Sequence, residues 1–409
     1  MYNCKKILMV NLPFSGHTNP TLELAKTFVS LGHEVTYIHS PEWKNKIEET
    51  GAIFIPYDNY PITMTASQKE IKSWGAAYQT AERIGKNFDC LIYEMLFLPG
   101  KSLADRLGIP AFRVFSTFTL NAKILNDFGK TGGWYMTCIF RYPLLYKVVS
   151  RVLQRKFHLR YGNIAKEMTD NAPKLNFTYT IKEFQIYSDE FDNSRYKYVG
   201  ASIGSRNEGR FDFSFMKQPI IYISLGTLLN TSAKFFRKCI EAFQNQSVSV
   251  IMSIGNVVKL EQLGKIPDNF FVYPFVPQLE VLQKASLFIT HGGMNSVNEA
   301  LYYGTPMIVI PVGNDQPTVA RQIETLHLGK YMKRKDTDAV SLRLTAMEIL
   351  NNNRGHLDWK PNKIRVFQSF LYLRDVSMML KIEPATFPTP KWMRLKSLSY
   401  CGRIHSWNP

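Results

Sequence analysis

The sequence predicts an α/β protein made of two doubly wound, parallel-sheet halves of the Rossmann type. Short apolar segments typical of buried strands alternate with amphipathic segments typical of helices, the pattern of a parallel sheet covered on both faces. This pattern runs through the first half of the chain, stops in a polar segment and then restarts. A chain of 409 residues also exceeds the roughly 250–300 residues that one hydrophobic core usually supports.

In the first half, seven segments have the short apolar pattern of buried strands. They are 5–12, 34–40, 51–58, 88–94, 109–116, 175–181 and 196–202. The segment PFSGHTNP (13–20), with one glycine and two prolines, predicts a loop, and helices are expected at 21–33 and 98–108. Residues 120–170 are basic, aromatic and predicted to be helical.

The polar segment 201–219 is interpreted as the linker between two domains. Five further strands are expected after it, at 220–228, 247–255, 269–277, 286–290 and 306–312. We therefore expect one domain at 1–205 and a second at 218–350. Residues 351–409 form an atypical basic tail, which from Arg354 onward has ten Lys or Arg against three Asp or Glu.

Composition excludes several classes of protein. Hydrophobic residues make up 45% and charged residues 20%, which is ordinary for a globular chain and argues against disorder. The net charge of +17 can attract anions, but no helix-turn-helix, zinc-finger or RNP-type motif occurs, so no nucleic-acid partner is expected.

Cysteine spacing, apolar runs and carboxylate positions indicate the cellular compartment and the need for a metal or cofactor. The five cysteines are scattered without metal-binding or disulfide spacing, which favours a reducing compartment. The apolar segment after MYNCKK is too short for a signal peptide, and no run of about 20 apolar residues occurs. We expect a cytoplasmic protein. No cluster of carboxylates resembles a metal site, so neither a metal nor a cofactor is expected.

The segment 275–323 has the most specific chemical pattern. A buried strand ends in His291, Gly292 and Gly293, and a helix begins there, so that free amides and the helix dipole can bind phosphate. Ser296 adds a hydroxyl in the first turn, and the carboxylate of Glu299, three residues later, suits the two hydroxyls of a ribose. Asp315 and Gln316 follow the next strand, where a carboxylate beside an amide suits a sugar.

This segment resembles the donor-binding signature of the UDP-glycosyltransferases, specifically the bacterial macrolide-type branch. The resemblance implies the GT-B fold, in which two Rossmann-like domains face each other across a cleft that holds a UDP-sugar donor and a hydrophobic small-molecule acceptor. It assigns a donor-binding role to a larger set of residues: Gly226, Thr227, Phe275, Val276, Gln278, His291, Gly292, Gly293, Asn295, Ser296, Glu299, Asp315 and Gln316. Phe275 replaces a tryptophan that stacks on uracil in plant relatives.

The segment NLPFSGHTNP resembles the first strand and loop of the same family and identifies His17 as the catalytic base. A base that removes a hydroxyl proton needs a pKa near the working pH, and a carboxylate must orient the imidazole. The family has an aspartate at the end of a later strand. Glu94 occupies that place here, and Asp89 and Asp105 are weaker alternatives. The implied reaction inverts the anomeric carbon.

Two alternative functions and the role of one basic stretch stay open at this point. A catalytically weak or inactive UDP-sugar-binding protein, or a partner subunit, is suggested by Glu94 and by the tail. A nicotinamide-dependent oxidoreductase fits two Rossmann-like halves but lacks a GxGxxG motif after the first strand. The aromatic, basic stretch 133–162, in which residues 141–162 have six Lys or Arg and no acid, fits either a lid over the acceptor, the interpretation that we favour, or a helix at a membrane surface. The spacing of side chains in the sequence does not identify the acceptor.

Overall fold

The computed structural model describes residues 4–60, 66–131, 142–204, 209–226 and 233–352. These residues form two parallel sheets, of seven and six strands, which confirms the predicted fold class. The predicted domain limits, 1–205 and 218–350, stay predictions. Residues 353–409, nearly all of the predicted tail, lie outside the described residues.

The first sheet contains the seven strands expected from the sequence, all parallel, in the order β3-β2-β1-β4-β5-β6-β7. The strands are β1 (Lys6–Val10), β2 (Glu34–His39), β3 (Ile53–Pro56), β4 (Cys90–Glu94), β5 (Ala111–Phe115), β6 (Leu175–Thr178) and β7 (Tyr196–Tyr198). The helices of this half are α1 (Ser15–Ser30), α2 (Lys44–Glu48), α3 (Ala66–Ile84), α4 (Gly100–Leu107), α5 (Ala122–Thr131), α6 (Pro143–Phe157) and α7 (Ile164–Thr169).

The second sheet repeats this plan, in the order β10-β9-β8-β11-β12-β13. Its strands are β8 (Ile220–Ser224), β9 (Ser249–Ser253), β10 (Phe270–Tyr273), β11 (Leu287–Thr290), β12 (Met307–Val309) and β13 (Gly329–Tyr331). Its helices are α8 (Ala233–Phe243), α9 (Gln278–Lys284), α10 (Met294–Tyr303), α11 (Gln316–Thr325) and α12 (Ala339–Asn352). The short edge strand β13 was not expected, because three residues that include a glycine and a lysine make no apolar run.

Both faces of each sheet are buried, as a doubly wound fold requires. Along β1, Ile7 and Met9 pack into one hydrophobic cluster, while Leu8 and Val10 pack into another on the opposite face. In the second sheet, Ile221 and Tyr222 of β8 likewise enter different clusters. No helix in the described part of the chain is both long and apolar enough to cross a membrane.

The predicted loop at 13–20 is wrong beyond Phe14, because α1 already begins at Ser15 and contains Pro20. A proline inside a helix removes the hydrogen bond of its own nitrogen and crowds the carbonyl four residues earlier. The rest of the first turn is bonded: the Thr18 amide donates to the Phe14 carbonyl at 2.9 Å, and the Thr18 hydroxyl donates to the Leu12 carbonyl at 3.2 Å. His17 therefore lies on the first turn of a helix.

Candidate active site

The topology of each sheet brings the predicted site residues to one edge. Strand order reverses between β1 and β4 in the first sheet and between β8 and β11 in the second. Ligands of open α/β sheets bind outside the carboxyl ends of the strands at such a point. His17 follows β1, Glu94 ends β4, Gly226 follows β8 and His291 follows β11.

His17 and Glu94 form a hydrogen-bonded pair in the first half. Nδ1 of His17 lies 2.7 Å from Oε1 of Glu94, whose side chain is 1% exposed. The other carboxylate oxygen, Oε2, accepts a hydrogen bond from the Leu96 amide at 2.8 Å. Ser116 lies 2.6 Å from the same His17 nitrogen and donates to Oε1 of Glu94 at 2.8 Å. The carboxylate is thus fixed at both oxygens and orients the imidazole.

The surrounding charges shift the pKa of His17. Burial lowers this pKa, but the charge and hydrogen bond of Glu94, with a smaller contribution from Asp315, outweigh it and leave the pKa raised. Asp315 comes from the second half and accepts a hydrogen bond from the Thr117 hydroxyl at 2.6 Å. Burial raises the pKa of Asp315, while the Thr117 bond and His17 act against that rise.

The glycine turn of the second half packs tightly around His291. A β-carbon added at Gly226 or Gly293 would lie 2.6 Å from an atom of the His291 ring. Gly292 has a φ of 88°, and a β-carbon there would lie 2.6 Å from Val309. Burial lowers the pKa of His291 to about 4. The imidazole is therefore neutral near pH 7 and can offer one N–H to an anion at the start of α10.

A second polar group lies along α10. Nε2 of Gln278 donates to Glu299 at 2.6 Å and to the Ser296 hydroxyl at 3.2 Å, and Oε1 of Gln278 accepts from the buried Tyr222 hydroxyl at 3.1 Å. The structure thus joins three residues that the sequence assigned to one donor site. Phe275, at the entrance to α9, leaves 56% of its surface exposed, which makes its ring available for stacking. Val276 is half-buried against the core.

The remaining predicted donor residues contact protein atoms in this structure. Gln316 is buried, and its Oε1 accepts from the amides of Val312 and Gly313 at 2.8 and 3.2 Å. Nδ2 of Asn295 donates to the Gly16 carbonyl at 2.5 Å. Thr227 lies outside the described residues.

The structure also separates the alternatives weighed for the partner of His17. Asp89 precedes β4 at the opposite edge of the sheet and accepts from the Lys6 amide at 2.7 Å, while Asp105 pairs with Lys101 on α4. Neither contacts His17. Among the described residues, no group of three or more His, Cys, Asp or Glu side chains is placed to hold a metal ion.

Sequence reasoning missed Ser116 and Thr117, which contact the His17–Glu94 pair and Asp315 respectively. Both residues directly follow β5, the strand that pairs with β4. Hydroxyl residues at the carboxyl end of a strand next to the switch point are the signal that could have found them.

Comparison with known proteins agrees with this geometry. Residues 210–358 match the family model described as UDP-glucoronosyl and UDP-glucosyl transferase. The chain is 32% identical to an uncharacterized UDP-glucosyltransferase of Bacillus subtilis (strain 168), over 85% of this chain and 89% of the relative. It is 26% identical to the oleandomycin glycosyltransferase of Streptomyces antibioticus, over 85% of this chain and 83% of the relative.

Solved structures show the same architecture. The glycosyltransferase of kitacinnamycin superposes with a TM-score of 0.80 at 24% identity and covers 93% of this chain and 99% of its own. The calicheamicin glycosyltransferase CalG4 superposes with a TM-score of 0.70 at 22% identity and covers 93% and 98%. The fold is thus the GT-B architecture.

The chain belongs to the UDP-glycosyltransferase family. The relatives include macrolide glycosyltransferases, so the predicted macrolide-type branch is confirmed. The predicted enzyme class is confirmed with it.

Proposed function

We propose that this enzyme moves a hexose, glucose in the first instance, from a UDP-sugar to a hydroxyl of an apolar small molecule such as a macrolide or a phenolic compound. The reaction inverts the anomeric carbon and requires no metal or cofactor. The observation that carries the proposal is the 2.7 Å contact between His17 and the buried carboxylate of Glu94. A histidine held by a carboxylate at one nitrogen is suited to remove a proton with the other.

The proton transfer follows from the tautomer that Glu94 imposes. Because the carboxylate accepts a hydrogen bond, Nδ1 of His17 carries the proton and Nε2 keeps its lone pair. Nε2 removes the hydroxyl proton of the acceptor as the oxygen attacks the anomeric carbon from the face opposite the diphosphate. The bond from the anomeric carbon to the diphosphate oxygen breaks in the same step, and UDP leaves with the electron pair.

The second half stabilises the leaving group. The start of α10 offers backbone N–H groups, the helix dipole and neutral His291 to the developing negative charge. Ser296 adds a hydroxyl in the first turn, and Glu299 accepts hydrogen bonds from the ribose. Asp315 and Gln316 contact the hydroxyls of the transferred sugar, and Phe275 stacks on the uracil.

A panel of phenolic and macrolide acceptors incubated with UDP-glucose tests the proposal. We expect mass spectrometry to detect acceptor masses increased by one hexose, and the His17→Ala variant to serve as the inactive control. UDP binding with no hexose addition across the panel would favour the alternative, a catalytically weak UDP-sugar-binding protein. Conversion by the variant at the wild-type rate would show that another group is the base.

The sequence favours a lid over the acceptor for 133–162, of which residues 133–141 lie outside the described residues. For the described part, 142–162, we propose contact with an anionic membrane surface instead. Its helix α6 exposes Leu144, Val148 and Val152, which are spaced four residues apart on one face. Lys147 and Arg151 are exposed beside this stripe. An exposed apolar stripe flanked by cations fits the interface of an anionic bilayer.

A vesicle experiment distinguishes the membrane surface from the lid. We expect wild-type protein, but not the Val148→Glu variant, to sediment with phosphatidylglycerol vesicles, and neither to sediment with phosphatidylcholine vesicles. Equal behaviour of the two proteins on anionic vesicles, or concentration-dependent self-association of the wild type alone, would contradict the proposal.

A further inference from the structure

Pro20 changes the hydrogen bonding of the helix turn that carries His17. In an α-helix each carbonyl accepts from the N–H four residues later, and a proline has no N–H to donate. Pro20 lies inside α1, and the residue four positions earlier is Gly16. The Gly16 carbonyl therefore lacks its usual intrahelical donor, directly beside the residue identified as the base.

This carbonyl is bonded by the other half of the molecule. Nδ2 of Asn295, the second residue of α10, donates to it at 2.5 Å across 279 positions of sequence. From within the first half, Nδ2 of Asn11 donates to the carbonyl of His17 at 3.1 Å. The turn around His17 thus accepts one hydrogen bond from its own half and one from the donor-binding half.

We propose that Asn295 is a positioning residue, which ties the turn that carries His17 to the donor-binding half through the carbonyl that Pro20 leaves available. The side-chain amide of Asn295 donates an N–H to the Gly16 carbonyl, which links the turn of His17 to the first turn of α10. His17 is thereby held at a fixed position relative to the donor site of the second half. This inference rests on the proposed role of His17 in hexose transfer.

The hydrogen bond between Asn295 and Gly16 orients His17, so its loss should affect the chemical step more than the binding of the donor. A misplacement of about 1 Å can cost roughly 100-fold in rate. We expect Asn295→Ala to lower kcat by about 10- to 100-fold and to change the Kd of UDP, measured by titration calorimetry, by less than about threefold. Ser202→Ala is the matched control, because the Ser202 hydroxyl also donates to α1, at the Pro20 carbonyl and 2.7 Å away, but does not contact the turn around His17. We expect its kcat to equal that of the wild type.

Rescue provides the sharper test. Pro20→Ala supplies the missing N–H, so that the helix itself can hold the Gly16 carbonyl. We expect the double variant Asn295→Ala/Pro20→Ala to recover at least about threefold in kcat over Asn295→Ala alone. A residue that acts only as a donor ligand gains nothing from a change in α1. Loss of UDP affinity in step with kcat, without rescue, would overturn the proposal.

A readout that needs no turnover separates this inference from the proposed function. The amides of His17 and Thr18 both donate to the Phe14 carbonyl at 2.9 Å, so their hydrogen exchange reports on the turn. In UDP-bound protein we expect exchange to be faster in Asn295→Ala and slower again in the double variant. If no acceptor is glycosylated, the proposed function fails, but the exchange rates still test whether Asn295 positions the turn of His17. Exchange at the wild-type rate in Asn295→Ala refutes the positioning role.

Discussion

Replacing Glu94 by glutamine tests the central pair of the site while keeping its size. The substitution removes the charge that raises the pKa of His17 and the acceptor that fixes its tautomer. A hydrogen bond to a charged group contributes about 1.5–3 kcal/mol, and losing it together with the charge lowers the pKa of His17. The glutamine amide can also donate to Nδ1, which places the proton on Nε2 and blocks the base. We therefore expect kcat to fall by about 10²–10⁴.

The assay is steady-state kinetics with one acceptor across pH, together with titration of UDP. In the wild type, kcat/KM requires neutral His17 and should rise with pH through a pKa above the usual histidine value of 6.5. In Glu94→Gln this limb should move to lower pH while the Kd of UDP stays unchanged. Glu94→Asp, which keeps the charge and restores the side chain of the family, is the control and should remain active. A glutamine variant as fast as the wild type, with an unmoved pH limb, would refute the reasoning.

Three further substitutions test the other contacts. His17→Ala should lose about 10²–10⁴ in kcat and still bind UDP, and near-full activity would exclude it as the base. Glu299→Ala should weaken UDP binding by about 10- to 100-fold in calorimetry, because it removes a charged acceptor for the ribose, and unchanged affinity in a folded variant would reject that contact. Thr117→Val should raise the KM for UDP-glucose by about three- to tenfold but leave the Kd of UDP unchanged, since UDP lacks the transferred hexose that Asp315 is proposed to contact. A parallel rise in both constants would place the effect on the nucleotide instead.

Much of the site could be predicted because it depends on local chain order. A glycine turn between a buried strand and a helix determines where His291 and Ser296 lie, and parallel strands place Glu94 at the same edge as His17. The start of α1 was missed because Pro20 was interpreted as a loop signal. The first turn is held by local bonds to Phe14 and Leu12, and the carbonyl left by Pro20 accepts from Asn295. A local pattern contains no information about this last contact, which spans 279 positions of sequence.

The position of Ser116 and Thr117 after β5 is visible in the sequence, but the partners of their hydroxyls are not. Each hydroxyl could have bonded to its own backbone or to water, and only the packing of β5 beside β4 directs Ser116 to the carboxylate of Glu94. Thr117 reaches a residue 198 positions away, across the two halves. Such contacts depend on how the halves dock, which the periodicity of either half does not determine.

The position of Asp315 implies that recognition of the sugar is shared between the halves. Its carboxylate belongs to the donor-binding half, yet one oxygen is held by Thr117 of the first half, and its charge acts on His17. The carboxylate proposed to bind the transferred sugar therefore also acts on His17, the proposed base. The Thr117 hydroxyl occupies one acceptor position of this carboxylate, and the remaining positions are available to a sugar hydroxyl. We infer that donor-sugar preference depends on the segment after β5 as well as on the second half, so that exchanging the second half alone between relatives would transfer that preference incompletely.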